Sequence, residues 1–186
     1  MTRVIGCVLA AVLVGGCMEQ TPGGPAELAS SPSDAAVSVP LNFRTHLTGD
    51  EEVPVRATQA QGQAIFQLSK DGTALSYRLI AANIENAFMA HIHMAPAGSN
   101  GGIVVWLYPS TAATPGALNS GRHNINVDGV ITAANLMGGL AGRSVADLVA
   151  AIEAGTAYVN VHTSDGVDPA NTGPGDFPGG EIRGQI

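Results

Sequence analysis

From residue 43 onward, apolar and polar positions alternate in short runs separated by turn residues, the period-two signature of half-buried strands. Phe43–Thr48 opens the series. Within 62–68, Ala64, Phe66 and Leu68 fall on one face, and Ile65 and Gln67 on the other. Lys70-Asp71-Gly72-Thr73 then reads as a hairpin turn, because an Asp-Gly pair tolerates the positive φ that tight turns need. The return strand, 74–82, carries Leu75, Tyr77 and Leu79 on one side. Further strands are predicted over 88–94, 102–107, 122–127, 157–162 and 180–186, with a loop sequence at Ala95–Gly101. One segment breaks the period. In Ser144–Ala154, Val145, Leu148, Val149 and Ile152 share a helical face, Ser144 and Asp147 are spaced as a capping box, and Gly155 supplies the stop. About eight strands and one helix predict an all-β fold: an antiparallel β-sandwich with one short inserted helix covering one end.

The first 40 residues follow a different pattern. Arg3 precedes an almost unbroken apolar run, Val4–Val14, which ends in Gly15-Gly16-Cys17 and turns polar at Glu19. About 11 apolar residues are too few to cross a bilayer as a helix and suit the core of a signal peptide. Small residues directly before a cysteine resemble the lipobox of bacterial lipoproteins. The resemblance implies cleavage after residue 16 and a lipid on Cys17. Met18 in place of Asp favours the outer membrane, with the domain facing the periplasm or the surface. Residues 17–40, rich in Pro, Gly, Ser, Ala and Thr, read as a flexible tether. The folded domain is expected over 41–186.

Composition narrows the partners. Only 12% of residues are charged, the net charge is −7, and the one lysine, Lys70, has no cationic cluster around it. Nucleic acid is thereby disfavoured, since phosphate neutralisation needs clustered cations. The membrane is reached through the N-terminal lipid, and a protein partner in the envelope remains open. Once Cys7 leaves with the leader and Cys17 carries lipid, the domain has no thiol, so packing alone must stabilise it.

The candidate chemistry lies in Ala90-His91-Ile92-His93. Histidines two apart on a strand project from one face, about 7 Å apart along the chain, and can approach one metal ion together. His162, near the end of the 157–162 strand, is a third candidate, and an all-imidazole set suits copper or zinc. A polar strand face or a hydrogen-bonded pair holding a loop would present the same spacing. His46 and His123 are read as ordinary surface or half-buried side chains. Asp50-Glu51-Glu52, beside Pro54, reads as a solvated loop, and Asp165, Asp168 and Asp176 as turn caps. No Gly-x-Ser-x-Gly elbow, phosphate-cradling loop or His-Glu-x-x-His helix is present.

Together these motifs resemble the CHRD domain, the module named after chordin. The resemblance rests on Leu47–Pro54, on Ala90–His93 with the following Gly-Ser-Asn-Gly-Gly loop, and on Tyr158–Thr163 followed by Pro178–Ile186. It implies a secreted or surface-associated module with no settled biochemical role; in chordin, related modules belong to an extracellular protein that binds growth factors. That family is distantly similar to Cu/Zn superoxide dismutase, a Greek-key sandwich, and this implies a Greek-key order here. By the same resemblance His91, His93 and His162 match copper ligands. The bridging fourth ligand, the zinc loop and the disulfide have no counterpart. Arg183 stands at a different offset from the arginine that guides superoxide, so that role is not carried over. The expectation is a cell-envelope lipoprotein whose CHRD domain is a non-enzymatic binding module with a three-histidine copper site. The alternative is a copper-dependent, superoxide dismutase-like oxidoreductase.

Overall fold

The computed structural model describes residues 42–109 and 124–186. The expected leader, Cys17, the tether, Leu41, Arg122 and His123 lie outside the described residues. Eight strands form: β1 Asn42–Thr48, β2 Gln61–Leu68, β3 Leu75–Ala82, β4 Ala87–Met94, β5 Gly102–Tyr108, β6 Ile125–Ile131, β7 Ala157–Thr163 and β8 Ile182–Gln185. The single α-helix, α1, spans Val145–Glu153.

Alternation in sequence becomes alternation in burial where one sheet face meets water. Along β2 and β3 every second residue is buried, so Ala64, Phe66, Leu75 and Leu79 enter the core. The turn between them closes as its sequence requires. Gly72 has φ +71°, and Asp71 accepts hydrogen bonds from the Ser69 and Thr73 hydroxyls and from the Thr73 amide. At α1, the Ser144 hydroxyl accepts from the Asp147 amide while the Asp147 carboxylate accepts from the Ser144 amide. This reciprocal cap satisfies amides that the first turn leaves without partners. The helix stops at Gly155, which holds φ +64°.

The strands form one antiparallel sheet in the order β5-β4-β7-β8-β1-β2-β3-β6, curled into a barrel-like shape. β6 returns to pair with β3 after the β4–β5 hairpin, which makes the connection a Greek key. The two layers expected of a sandwich are joined by short β8, which pairs with β7 on one side and meets β1 at Thr48↔Arg183 on the other. Gly184 permits that approach, because a Cβ there would collide with the His46 carbonyl of β1. The end strands β5 and β6 come alongside each other. Near them the Tyr77 hydroxyl of β3 donates 2.7 Å to the Leu107 carbonyl of β5. Its ring lies against Gly129 of β6, where any Cβ would stand within 2.9 Å of the phenol.

Strand β7 is unlike the others: all seven of its residues are buried. Val159 and Val161 face the barrel core. Tyr158, Asn160 and His162 face outward, beneath segments 49–58, 95–101 and 172–181. A second interior, polar in character, thus lies outside the barrel on the β4-β7-β8 face.

Two substitutions test this framework by urea unfolding. Gly129→Ala, which forces the Tyr77 ring aside, is expected to cost about 1–3 kcal/mol. Ser144→Ala, which removes only the helix cap, is expected to cost about 1 kcal/mol.

Candidate metal centre

The β4–β7 pairing assembles the site. His91 lies opposite Asn160 and His93 opposite Tyr158, while His162 lies opposite Met89, so all these side chains share the outer face. One ring nitrogen from each of His91, His93 and His162 lies within 4.8 Å of the others. The three residues expected from the sequence to meet do meet, and all are buried. His46, by contrast, sits exposed on β1.

Hydrogen bonds to backbone carbonyls orient two of the rings. His93 Nδ1 lies 2.9 Å from the Gly101 carbonyl, and His162 Nδ1 lies 2.8 Å from the Pro178 carbonyl. A carbonyl only accepts, so each Nδ1 carries the proton and each Nε2 keeps a lone pair. His91 Nδ1 stands 3.1 Å from His162 Nε2, which leaves His91 donating to that lone pair. Two buried nitrogens, His91 Nε2 and His93 Nε2, have no hydrogen-bond partner.

This arrangement fits a small metal ion. Three nitrogens at about 2.0–2.1 Å from one ion stand roughly 3.3–3.6 Å apart, so modest ring rotations suffice. His93 and His162 already carry the outer N–H···O=C bonds that fix the tautomer of metal-binding imidazoles. If His91 turns Nδ1 from donor to ligand, its proton moves to Nε2 and the ring stays neutral. The donor set is three imidazoles, the chemistry of copper or zinc.

Burial keeps the rings neutral. It pushes His91 down to about 2, with the other two histidines adding to the effect. It pushes His162 down to about 4, against the opposing hydrogen bond to Pro178 and with some help from His93. His93 is lowered by burial too, partly offset by the bond to Gly101 and reinforced by the charge of Arg183.

Several neighbours were not legible as site residues. Trp106 stands edge-on to His91 with ring centroids 4.2 Å apart. Tyr158 stacks on His93 at 5.0 Å and 10°. On its far face Tyr158 carries the Arg183 guanidinium, 3.5 Å from the ring centroid. Arg183 is 1% exposed and donates to the Ser99 and Pro96 carbonyls and to Gln185.

Glu52 corrects the sequence reading of residues 50–52 as a solvated loop. Asp50 and Glu51 are exposed, but Glu52 is 3% exposed and accepts 2.8 Å from Asn160. The 3₁₀ turn Gly49–Glu51 aims it inward, and burial raises it to about 7 despite Arg183 and Arg56 nearby. Asp165 and Asp176 do cap turns, through the amides of Val167 and Thr172, although Asp176 is itself buried.

Residues 43–186, most of the chain, match the CHRD domain family. The chain belongs to that family. No curated protein and no solved structure matches it. The match extends over all eight strands and the helix, save for Asn42 at the first strand's edge. The three clustered histidines, His91, His93 and His162, therefore lie within the family's span.

The lowered histidines make stability depend on pH. Each is neutral in the native state below its unfolded value of about 6.5, so unfolding takes up protons and stability falls as pH drops. Glu52 acts in the opposite sense between about 4.5 and 7, because the native state holds its proton. From His91 and His162, less the opposing Glu52, the net uptake near pH 5 is about one proton, so the metal-free domain should lose about 1–1.5 kcal/mol per pH unit there, with the lowered His93 adding in the same direction. Urea unfolding at pH 6.5, 5.5 and 4.5 measures it. Glu52→Gln should steepen the slope and His162→Gln should flatten it.

Proposed function

We propose that this CHRD domain is a non-enzymatic copper-binding module of the bacterial cell envelope, tethered to the membrane by a lipid on Cys17. The observation that carries the metal reading is the convergence of the His91, His93 and His162 nitrogens within 4.8 Å, with two Nε2 lone pairs set by carbonyl hydrogen bonds. His91 Nδ1, His93 Nε2 and His162 Nε2 are the atoms that would hold the ion. Bound copper would supply a redox-active cation; the chain's part is to keep the rings neutral, oriented and largely out of water. The same buried, loop-covered face leaves room for a protein partner in the envelope elsewhere on the domain.

A binding role is favoured over superoxide dismutation by the surroundings of the triad. Dismutation needs a cation free to meet an anionic substrate, whereas the Arg183 guanidinium is buried and engaged by the Ser99 and Pro96 carbonyls and by Gln185. No fourth histidine, cysteine or carboxylate joins the group among the described residues.

Competition with a chelator tests the site. His91→Ala, His93→Ala and His162→Ala should each weaken copper binding by more than the 10–100-fold typical of losing an outer hydrogen-bond partner. His46→Ala should leave affinity unchanged. Affinity that is equal in all four variants would make the cluster a purely structural one. Cys17→Ser should abolish partitioning into a detergent phase, or leave an unprocessed precursor; unchanged partitioning would remove the lipid anchor from the proposal.

A further inference from the structure

The oxidation state of the ion that the triad prefers can be argued from the charges around it. Every donor that faces the site is neutral. The three rings carry no charge, and the two further residues in register with them on the same face, Asn160 and Met89, are uncharged as well. Asn160 Oδ1 is buried and has no hydrogen-bond partner. The buried carboxylates are not among the donors that converge: Glu181 accepts from Thr58, Thr163 and Gly175, Glu52 accepts from Asn160, and Asp176 accepts from Thr172 through one oxygen.

The fixed charge that bears on the triad is positive. The Arg183 guanidinium is stacked toward His93 through Tyr158, and its charge helps to lower that ring. Arg183, Tyr158 and His93 form a continuous stack, guanidinium on phenol on imidazole. Hydrogen bonds to Ser99, Pro96 and Gln185 prevent the guanidinium from swinging away. A dication held by three neutral imidazoles has no anionic ligand to compensate it, and it feels the repulsion of Arg183 twice as strongly as a monocation. Soft, low-coordinate ions lose least from a shell of three neutral imidazoles.

We infer that the His91–His93–His162 site is selective for Cu(I) over Cu(II) and Zn(II), and that the Arg183–Tyr158 stack behind His93 is the positioning element that sets this preference. The inference rests on the metal reading above and deepens it. A site that strongly favours one oxidation state also turns over poorly as a dismutase, in keeping with a carrier or sequestering role.

The test compares three ions on the full chain. Cu(I) affinity is measured anaerobically against a cuprous chelator such as bathocuproine disulfonate, and Cu(II) and Zn(II) affinities against ligands of known strength. Cu(I) is expected to bind at least about 100-fold more tightly than either dication. Arg183→Gln should lower the Cu(I):Cu(II) affinity ratio roughly tenfold, the effect of one nearby unit charge on one additional metal charge. Arg183→Lys, which keeps the charge, should preserve the ratio. Cu(II) or Zn(II) binding as tightly as Cu(I) overturns the selectivity while leaving the metal site standing. An unchanged ratio in Arg183→Gln overturns the role of the stack. If Arg183→Gln does not fold, the wild-type ratio and Arg183→Lys decide the matter: a high ratio kept by Lys supports the inference, and a ratio lost in Lys overturns it. No binding of any of the three ions overturns both this inference and the metal reading beneath it.

Discussion

Burial of β7 on both faces is the constraint around which the molecule is organised. A strand with one wet face can leave its polar side chains to water, but Tyr158, Asn160 and His162 have no such outlet. Their polar atoms must find partners in the covering segments, since an unpaired buried polar group is costly. Asn160 reaches Glu52, His162 reaches the Pro178 carbonyl, and the Tyr158 hydroxyl accepts from the Gly101 amide. Three loops distant in sequence are thereby fastened to one strand. Partners run out around the three histidines, where His91 Nε2, His93 Nε2 and Asn160 Oδ1 are left without any.

Glycine makes the close fit possible at two points. Gly180, at φ +127°, sits where a Cβ would collide with Asn160 and stand 2.5 Å from Glu52. Gly101 leaves room for its carbonyl to reach His93, since a Cβ there would strike the Met94 backbone. Both lie in the covering segments and not in the barrel, so the shell over the site is as tightly specified as the core beneath it.

The sequence pattern revealed these parts unevenly, for physical reasons. β2 and β3 were legible because one face is wet, and their alternation of burial follows the alternation of residue type. The helix was legible from its cap and its stop. In β7 the alternation of type survives, yet the polar members are buried, so polarity misreports exposure there. His91 and His93 were paired correctly because strand parity is a local property. That His162 joins them depends on β4 pairing with β7, which no local window encodes; its place near a strand end made it a candidate, and the family resemblance matched it to a copper ligand. Glu52 was hidden by two genuinely exposed acidic neighbours, and the stacking of Arg183 on Tyr158 depends on β8 lying beside β7, which no local window encodes.

The span of chain needed to finish the triad governs when it can exist. His91 and His162 are 71 positions apart, and the carbonyl that orients His162 belongs to Pro178, with Arg183 beyond it. Contacts of such separation form late in folding, after the loop-closure entropy has been met. A chain emerging residue by residue therefore presents only a pair of histidines on one strand until β7 docks, and even then His162 is free to rotate until segment 178–183 arrives. An ion that needs all three rings would therefore be held only once the barrel is complete.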